Sequence, residues 1–529
     1  MKKIYMIGAV LLMLLTTSCR EESDALLSYD HNELLSFGDA NESFAGKFKV
    51  MWNGMNQYYA LWDYEAEQGL DWDAVYDEYL PQFEALDKRN DSIPVTDEEL
   101  TEMLRKVLSP IHDGHFAMFW KNHATGSTVV YSPSRDRFAS RDDAKIANGF
   151  TPSLAYYLDP ANDEVEMEDG QPIALEYGTD WASLSAYYED TPGIGMKWIE
   201  AEMARIDNMT LPTELDLYKY DQLKTLRTQL EKALMQTYGQ LGIPAFNALV
   251  QQYSFLKVPG LNTIDPGFTE SHVKIKFALL KGNIAYLYFS DFNLTPYLVE
   301  EAQNYYFNLQ NEQTVAHLKG IVTVWKSWFY AIQRLHKAGK LGGVIIDVRS
   351  NGGGIQFDGT FVAGALLPAG GFQFGYSRFK RGTGRYDYSP LMPTIMPTMD
   401  EEHEIINDKP VVLLVNSRSV SMSEMTAQVV KVMPNGKVIG KRTYGGLCGL
   451  TASEKHSQNY AGYIGVEGKT PVYGYVPSLA SFTMDKQQLE GVGISPDIEV
   501  ALDENLFYSP ASGRDTQLDR ALQYIRTGK

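Results

Sequence analysis

Only two of the 529 residues are cysteine, Cys19 and Cys448. Cys19 directly follows an N-terminal segment that reads as an export signal, so the body of the chain keeps one thiol, Cys448, which by itself can form no internal disulfide. Cys448 lies in a glycine-rich loop, Gly445-Gly446-Leu447-Cys448-Gly449, and reads as an incidental loop thiol. Positive charge is also scarce: 47 Lys and Arg stand against 67 Asp and Glu, a net charge of −20. That balance argues against nucleic acid as a partner, because phosphates need a basic face. His-Glu-x-x-His and Cys-x-x-Cys patterns are missing, so no metal or organic cofactor is implied. No internal repeat or low-complexity tract is evident. What the chain does have is a hydrophobic share of 44% and an aromatic share of 12%. These fit a globular protein of enzyme size, divided into two or three domains.

The N-terminus reads as an address and not as fold. Lys2 and Lys3 precede the apolar run Ile4–Leu15, which is too brief for a membrane-spanning helix with these flanks. Thr16-Thr17-Ser18-Cys19 follows and resembles the lipobox of bacterial lipoproteins. The resemblance implies that residues 1–18 are a signal peptide and that Cys19 is the lipidated first residue of the mature chain. Arg20-Glu21-Glu22 looks like the charged tag that sends some lipoproteins to the outer face of the outer membrane. The expected location is the cell envelope, anchored by lipid, with residues 19–43 as a polar tether.

From Phe44 the pattern turns helical, with Phe44, Phe48, Met51, Met55, Tyr58 and Trp62 at steps of three and four. Another helix opens at Leu70-Asp71-Trp72-Asp73. Thr96-Asp97-Glu98-Glu99 has the form of a capping box ahead of Leu100, Met103, Leu104, Val107 and Leu108. Residues 44–115 therefore read as a helical domain ending in the turn Ile111-His112-Asp113-Gly114-His115. Residues 116–271 are mixed, with strand-like runs at Thr128–Tyr131 and Leu154–Leu158, a helix over 214–239, and a linker at 254–271. Residues 272–510 alternate strands (Ile284–Phe289, Gly343–Val348, Val411–Val415, Lys437–Gly440) with helices (296–338, 358–367, 423–433). That alternation predicts an α/β domain with a largely parallel sheet. Residues 369–409 read as an irregular insertion, and 511–529 as a C-terminal helix.

Two strand-to-loop junctions can carry chemistry. Val411–Val415 breaks into a serine-rich turn, and Met422 onward is helical, so Ser421 sits at a helix N-terminus. Unpaired N–H groups and the positive end of the helix dipole there can stabilise an oxyanion. Taken alone, Ser417, Ser419, Ser421 and Ser423 read better as turn and cap residues, and it is the rest of the chain that reverses this. The second junction runs from Gly343 through Asp347-Val348-Arg349-Ser350-Asn351 into Gly352-Gly353-Gly354. Three glycines after a strand let backbone N–H groups approach a ligand or an oxyanion. The loop lacks the Lys-Ser/Thr ending of a phosphate-binding loop.

Five features occur in one order: a helical region ending in Asp113-Gly114-His115, the strand Gly282-Asn283-Ile284-Ala285-Tyr286-Leu287, the loop at Asp347–Gly354, Ser419-x-Ser421-x-Ser423-Glu424, and Gly491-x-Gly493-Ile494-x-Pro496-Asp497-Ile498. In that order they resemble the tail-specific (C-terminal processing) serine peptidase family. The resemblance implies a crotonase-like ααβ core and Ser421 as nucleophile. One branch of the family uses a Ser/Lys dyad; alignment puts Gly446 where that Lys would stand. The other branch is similar to the tricorn core protease. It implies His115 as the base and a carboxylate that orients it, here Glu490 ahead of Asp497 and Glu499, with His112 the local competitor of His115. Gly114 stands where that branch has a second Ser. The implied oxyanion hole is the Gly353 N–H, with Gly352 or Gly354 as alternates, together with the Met422 N–H. The expected function is a lipid-anchored envelope peptidase acting on a peptide or protein. The alternative is an inactive peptidase-like protein that binds peptide, lipid or glycan.

Overall fold

The structure is a computed structural model. It describes residues 42–144, 150–158, 174–177, 273–306, 312–399, 403–450, 462–465, 470–509 and 512–529 apart from Asp91 and Thr383, with Ala40, Met203, Lys224 and Leu309 as isolated positions. The signal peptide, Cys19 and the helix expected over 214–239 lie outside these residues. The fold is mixed α/β. The chain divides into two compact units, one made of Met1–Arg141, Gln373–Ile395 and Tyr444–Ile494, the other of Asp142–Phe372, Met396–Thr443 and Ser495–Lys529. Among the described residues no helix is long and apolar enough to cross a membrane.

In the first unit, helices Phe44–Tyr58, Trp62–Glu67, Trp72–Asn90 and Asp97–Leu108 bury an aromatic-rich core. Phe48 stacks on Phe83 with ring centroids 4.8 Å apart, and Trp62 lies 5.0 Å from Trp72. The Thr96 capping box forms with both of its bonds: the Thr96 hydroxyl accepts from Glu99 N–H, and the Glu99 carboxylate accepts from Thr96 N–H. A four-stranded antiparallel sheet pairs Ala117–Lys121 with Thr128–Tyr131 and Val472–Tyr475, and Tyr463–Ile464 with Val472–Tyr475. A second small sheet contains Phe372–Phe379 and Met392–Met396, so the stretch expected to be irregular over 369–409 carries two strands. Phe372–Phe379 pairs with Leu479–Phe482, a partner about a hundred residues away that no local pattern reveals.

The second unit is built on a seven-stranded sheet. Its strands Ile284–Phe289, Gly343–Asp347, Val411–Val415, Gly436–Gly440 and Ile498–Glu499 run parallel in that spatial order. Ile275–Leu280 and Ala174–Tyr177 extend it antiparallel. The central strands are buried at every position, as continuous apolar runs in a sheet covered on both faces must be. Helix Glu312–Lys337 connects the first parallel pair, and helix Met422–Val432 connects Val411–Val415 to Gly436–Gly440. The C-terminal helix Thr516–Thr527 buries Leu518, Ala521 and Leu522 in the core that contains Val412 and Leu414. Two local expectations change form. Residues 358–367 are 3₁₀ turns, Gln356–Phe361 and Gly364–Leu366, and Leu154–Leu158 is helical from Ala155.

Candidate active site

Strands Gly343–Asp347 and Val411–Val415 are neighbours, with Asp347 opposite Leu414, so their loops leave the sheet side by side. Loops at the carboxyl ends of parallel strands are where α/β sheets place their ligand sites. Polar side chains stitch the two loops together. Asn416 Oδ1 accepts from the N–H groups of Ser350 (2.8 Å) and Arg418 (3.0 Å). The Ser419 hydroxyl donates to Val348 O at 2.7 Å, and the Ser423 hydroxyl donates to Asn351 O at 2.9 Å. Asn351 Nδ2 donates to Phe289 O, which ties the pair to a third strand.

The serine repeat thus separates by role. Ser417, Ser419 and Ser423 are completely buried, whereas Ser421 is half-buried. Its backbone takes φ 55° and ψ −113°, a region L-residues avoid, and it forms the N-cap of helix Met422–Val432. The Ser421 N–H donates to Glu424 Oε2 (3.1 Å), whose Oε1 accepts from the Thr443 hydroxyl (2.6 Å). The next amide, Met422 N–H, donates to no acceptor among the described residues.

Gly353 approaches Ser421 so closely that an added Cβ would lie 2.6 Å from Ser421 Cβ and 3.0 Å from Met422 N. Its own N–H is engaged, donating to Asn351 Oδ1 at 2.9 Å. The N–H groups of Gly352 and Gly354, on exposed residues, have no acceptor among the described residues. Behind the loop, Arg349 is fully buried. It donates to Asp347 from Nε (2.9 Å) and Nη2 (2.5 Å), lies 2.7 Å from Asp515 and 3.0 Å from Gln517, and faces the Phe150 ring at 4.4 Å. A buried charge paired this fully braces the loop without taking part in chemistry. Lys441 pairs with Glu499 and Lys431 with Asp497, both near the surface.

The other unit holds His115. Asp113 Oδ1 accepts from His115 N–H (2.7 Å) and Phe116 N–H (2.8 Å), an Asx turn that sets the imidazole's position. Glu490, 1% exposed, accepts from Gly114 N–H on Oε1 (2.7 Å) and from Leu447 and Cys448 N–H on Oε2 (2.8 and 2.9 Å). It therefore grips the backbone of the His115 turn. A Cβ on Gly114 would lie 2.5 Å from Gly445 O and from Gly446 Cα, which is the physical reason no second Ser stands there. His115 Nδ1 is sealed from water and has no hydrogen-bond partner among the described residues, and burial pushes the ring from an ordinary 6.5 down to about 4.

Of the two imidazoles in this turn, the one with a carboxylate on Nδ1 is His112, 2.7 Å from Glu65 Oε2. Glu65 Oε1 also accepts from Tyr59 OH (2.6 Å) and His112 N–H (2.8 Å). Nothing in the sequence around His112 pointed to Glu65. Ligand atoms of Asp113, Cys448 and Glu490 lie within 4.8 Å of one another. All three side chains are buried and the Glu490 oxygens are taken by amides. Burial raises the Asp113 carboxyl to about 7 and lifts the Cys448 thiol well above its ordinary value. We read the trio as a cluster that keeps a proton at neutral pH and not as an ion site.

The family model described as "Peptidase family S41" matches residues 283–500. A curated relative, the tricorn protease of Thermoplasma acidophilum, is 28% identical over 186 residues, 35% of this chain and 14% of that one, so the match spans about a seventh of the relative's length. Among solved structures, a protein of Parabacteroides merdae is similar at 17% identity, covering 92% of this chain and 98% of its own, with a TM-score of 0.46. The structure of mature CPAF complexed with lactacystin is similar at 10% identity, 92% and 99% coverage and a TM-score of 0.46.

Proposed function

We propose, from the match of residues 283–500 to the peptidase family S41 model, that this chain is a serine peptidase of the cell envelope with Ser421 as its nucleophile. The observation that carries the reading is the state of Ser421. It is the one serine of its repeat left half-buried, it is held in a strained N-cap conformation, and the next amide has no acceptor among the described residues. Sharp strand-to-helix turns present a nucleophile in this manner. In the proposed reaction the Ser421 hydroxyl oxygen attacks the peptide carbonyl and its proton passes to His115. The C–N bond breaks as His115 gives that proton to the leaving amine, and water then hydrolyses the acyl-enzyme by the same route in reverse.

The oxyanion is assigned to the Met422 N–H with Gly353. Because Gly353 N–H already serves Asn351, it must be shared or exchanged, or replaced by Gly352 or Gly354. Glu490 is a positioning residue that orients His115 through the Gly114 amide. Fluorophosphonate labelling tests the nucleophile: the probe should attach to the peptide containing Ser421. A folded chain that stays unlabelled favours the binding-protein alternative, to which the engaged Gly353 amide and the unpartnered His115 Nδ1 lend support.

The proposed base fixes a pH dependence. Only neutral imidazole accepts a proton, so kcat/KM should rise with pH through an acid limb near 4 instead of near 6.5. The stability effect has the same sign. Between about 4 and 6.5 the unfolded chain takes up a proton that folded His115 resists, so this contribution is present above 6.5 and is lost as pH falls. An acid limb that stays in place in His115→Ala with residual activity removes His115 as base. The lipid anchor at Cys19 is likewise proposed. Cys19→Ser should move the protein from the membrane to the soluble envelope fraction, and unchanged membrane retention rejects it.

A further inference from the structure

The geometry points to Glu424 and Thr443 as positioning residues for the nucleophile, an inference that rests on the reading of Ser421 given above. A non-glycine residue at φ 55°, ψ −113° carries about 1–3 kcal/mol of strain and persists only where its surroundings over-determine it. On its C-terminal side the fixing contact is the Ser421 N–H donating to Glu424 Oε2 at 3.1 Å. Glu424 is fully buried, and its other oxygen accepts from the Thr443 hydroxyl at 2.6 Å.

Thr443 is itself fully buried and stands three residues past strand Gly436–Gly440, which is paired along its length with Val411–Val415. The strand that leads into the nucleophile and the strand that follows its helix are therefore joined twice, once by the sheet and once through Thr443, Glu424 and Ser421. An acidic residue in the first turn of a helix ordinarily serves the helix dipole. Here the carboxylate is committed to the amide of Ser421. The charge-assisted bond fixes which N–H is taken, and the next one, Met422 N–H, stays open for an oxyanion. In the sequence Glu424 reads as a first-turn helix acid, and Thr443 reads as nothing at all.

The test separates rate from folding by measuring fluorophosphonate inactivation as KI and kinact, with labelling amplitude giving the folded fraction. Thr443→Val keeps the shape and removes the hydroxyl; kinact should fall about tenfold, the loss that corresponds to one charge-assisted hydrogen bond, with KI unchanged. Thr443→Ser restores the donor and should recover to within about threefold of the natural chain. A merely structural role would lower the amplitude and leave kinact alone. Should Thr443→Val fail to fold, Glu424→Asp serves: it keeps the charge but is one methylene short, and kinact should again drop about tenfold. Natural kinact in folded Thr443→Val or Glu424→Asp, or a Thr443→Ser as slow as Thr443→Val, overturns the assignment. If the natural chain is not labelled at Ser421, the nucleophile reading itself has failed and the positioning role falls with it, a result distinct from the others.

Discussion

Ser421→Ala should abolish fluorophosphonate labelling and lower peptide hydrolysis by at least about 10⁴-fold, the scale on which serine peptidases lose activity when the nucleophilic oxygen goes. The substitution removes one half-buried hydroxyl and nothing that holds the turn. The Ser421 N–H still reaches Glu424, and alanine tolerates this backbone region as serine does. Stability should therefore change by no more than about 0.5 kcal/mol. Its neighbours behave in the opposite way. Ser419→Ala loses the bond to Val348 O and the acceptor for Asn416 N–H, both buried, and should cost about 1–3 kcal/mol. A scan of the repeat thus distinguishes a nucleophile from its bolts: one position loses chemistry and keeps its melting temperature, the other melts earlier. Unchanged hydrolysis by folded Ser421→Ala would reject the peptidase reading.

The contrast between those serines marks how far the sequence is readable. The run Val411–Val415 followed by a helix from Met422 is local, and it forms as its residues dictate. The Thr96 capping box, the parallel strands and helix Glu312–Lys337 are legible for the same reason. Which of four serines is left accessible is not local, because it depends on Asn351 and Val348, about seventy residues away. The strands hidden in 369–409 have a comparable cause: a small edge sheet needs little apolar alternation, and glycine and proline at its margins imitate a loop. The turn before Phe116 is wired differently from the expectation. The buried carboxylate Glu65 sits on His112, while Glu490 holds amides around His115. A helix acid such as Glu65 carries no sequence mark of a partner 47 positions away.

Gly353→Ala should damage both the fold and the chemistry at Ser421. At φ +89° an alanine is strained whatever the space around it, at a cost of about 1–2 kcal/mol. The methyl would also lie 2.6 Å from Ser421 Cβ, 2.7 Å from Val420 O and 3.0 Å from Met422 N. None of these can yield alone, since Val420 N–H is bonded to Asn351 O and the Ser421 amide to Glu424. Overpacking of this kind adds about 1–3 kcal/mol, so the total loss expected in urea denaturation is about 2–5 kcal/mol. Relief must displace the nucleophile or the Met422 amide, and moving either by about an ångström costs on the order of 100-fold in rate. The folded fraction of Gly353→Ala should accordingly react with a fluorophosphonate at least about 100-fold more slowly than the natural chain. Gly352→Ala is the control, because there the nearest atom to an added Cβ is Asp291 Oδ1 at 4.0 Å, and no positive φ stands in the way. If both alanines react alike and melt alike, the close approach of Gly353 to Ser421 does not govern the chemistry, and the assignment of an oxyanion to this junction loses its geometric basis.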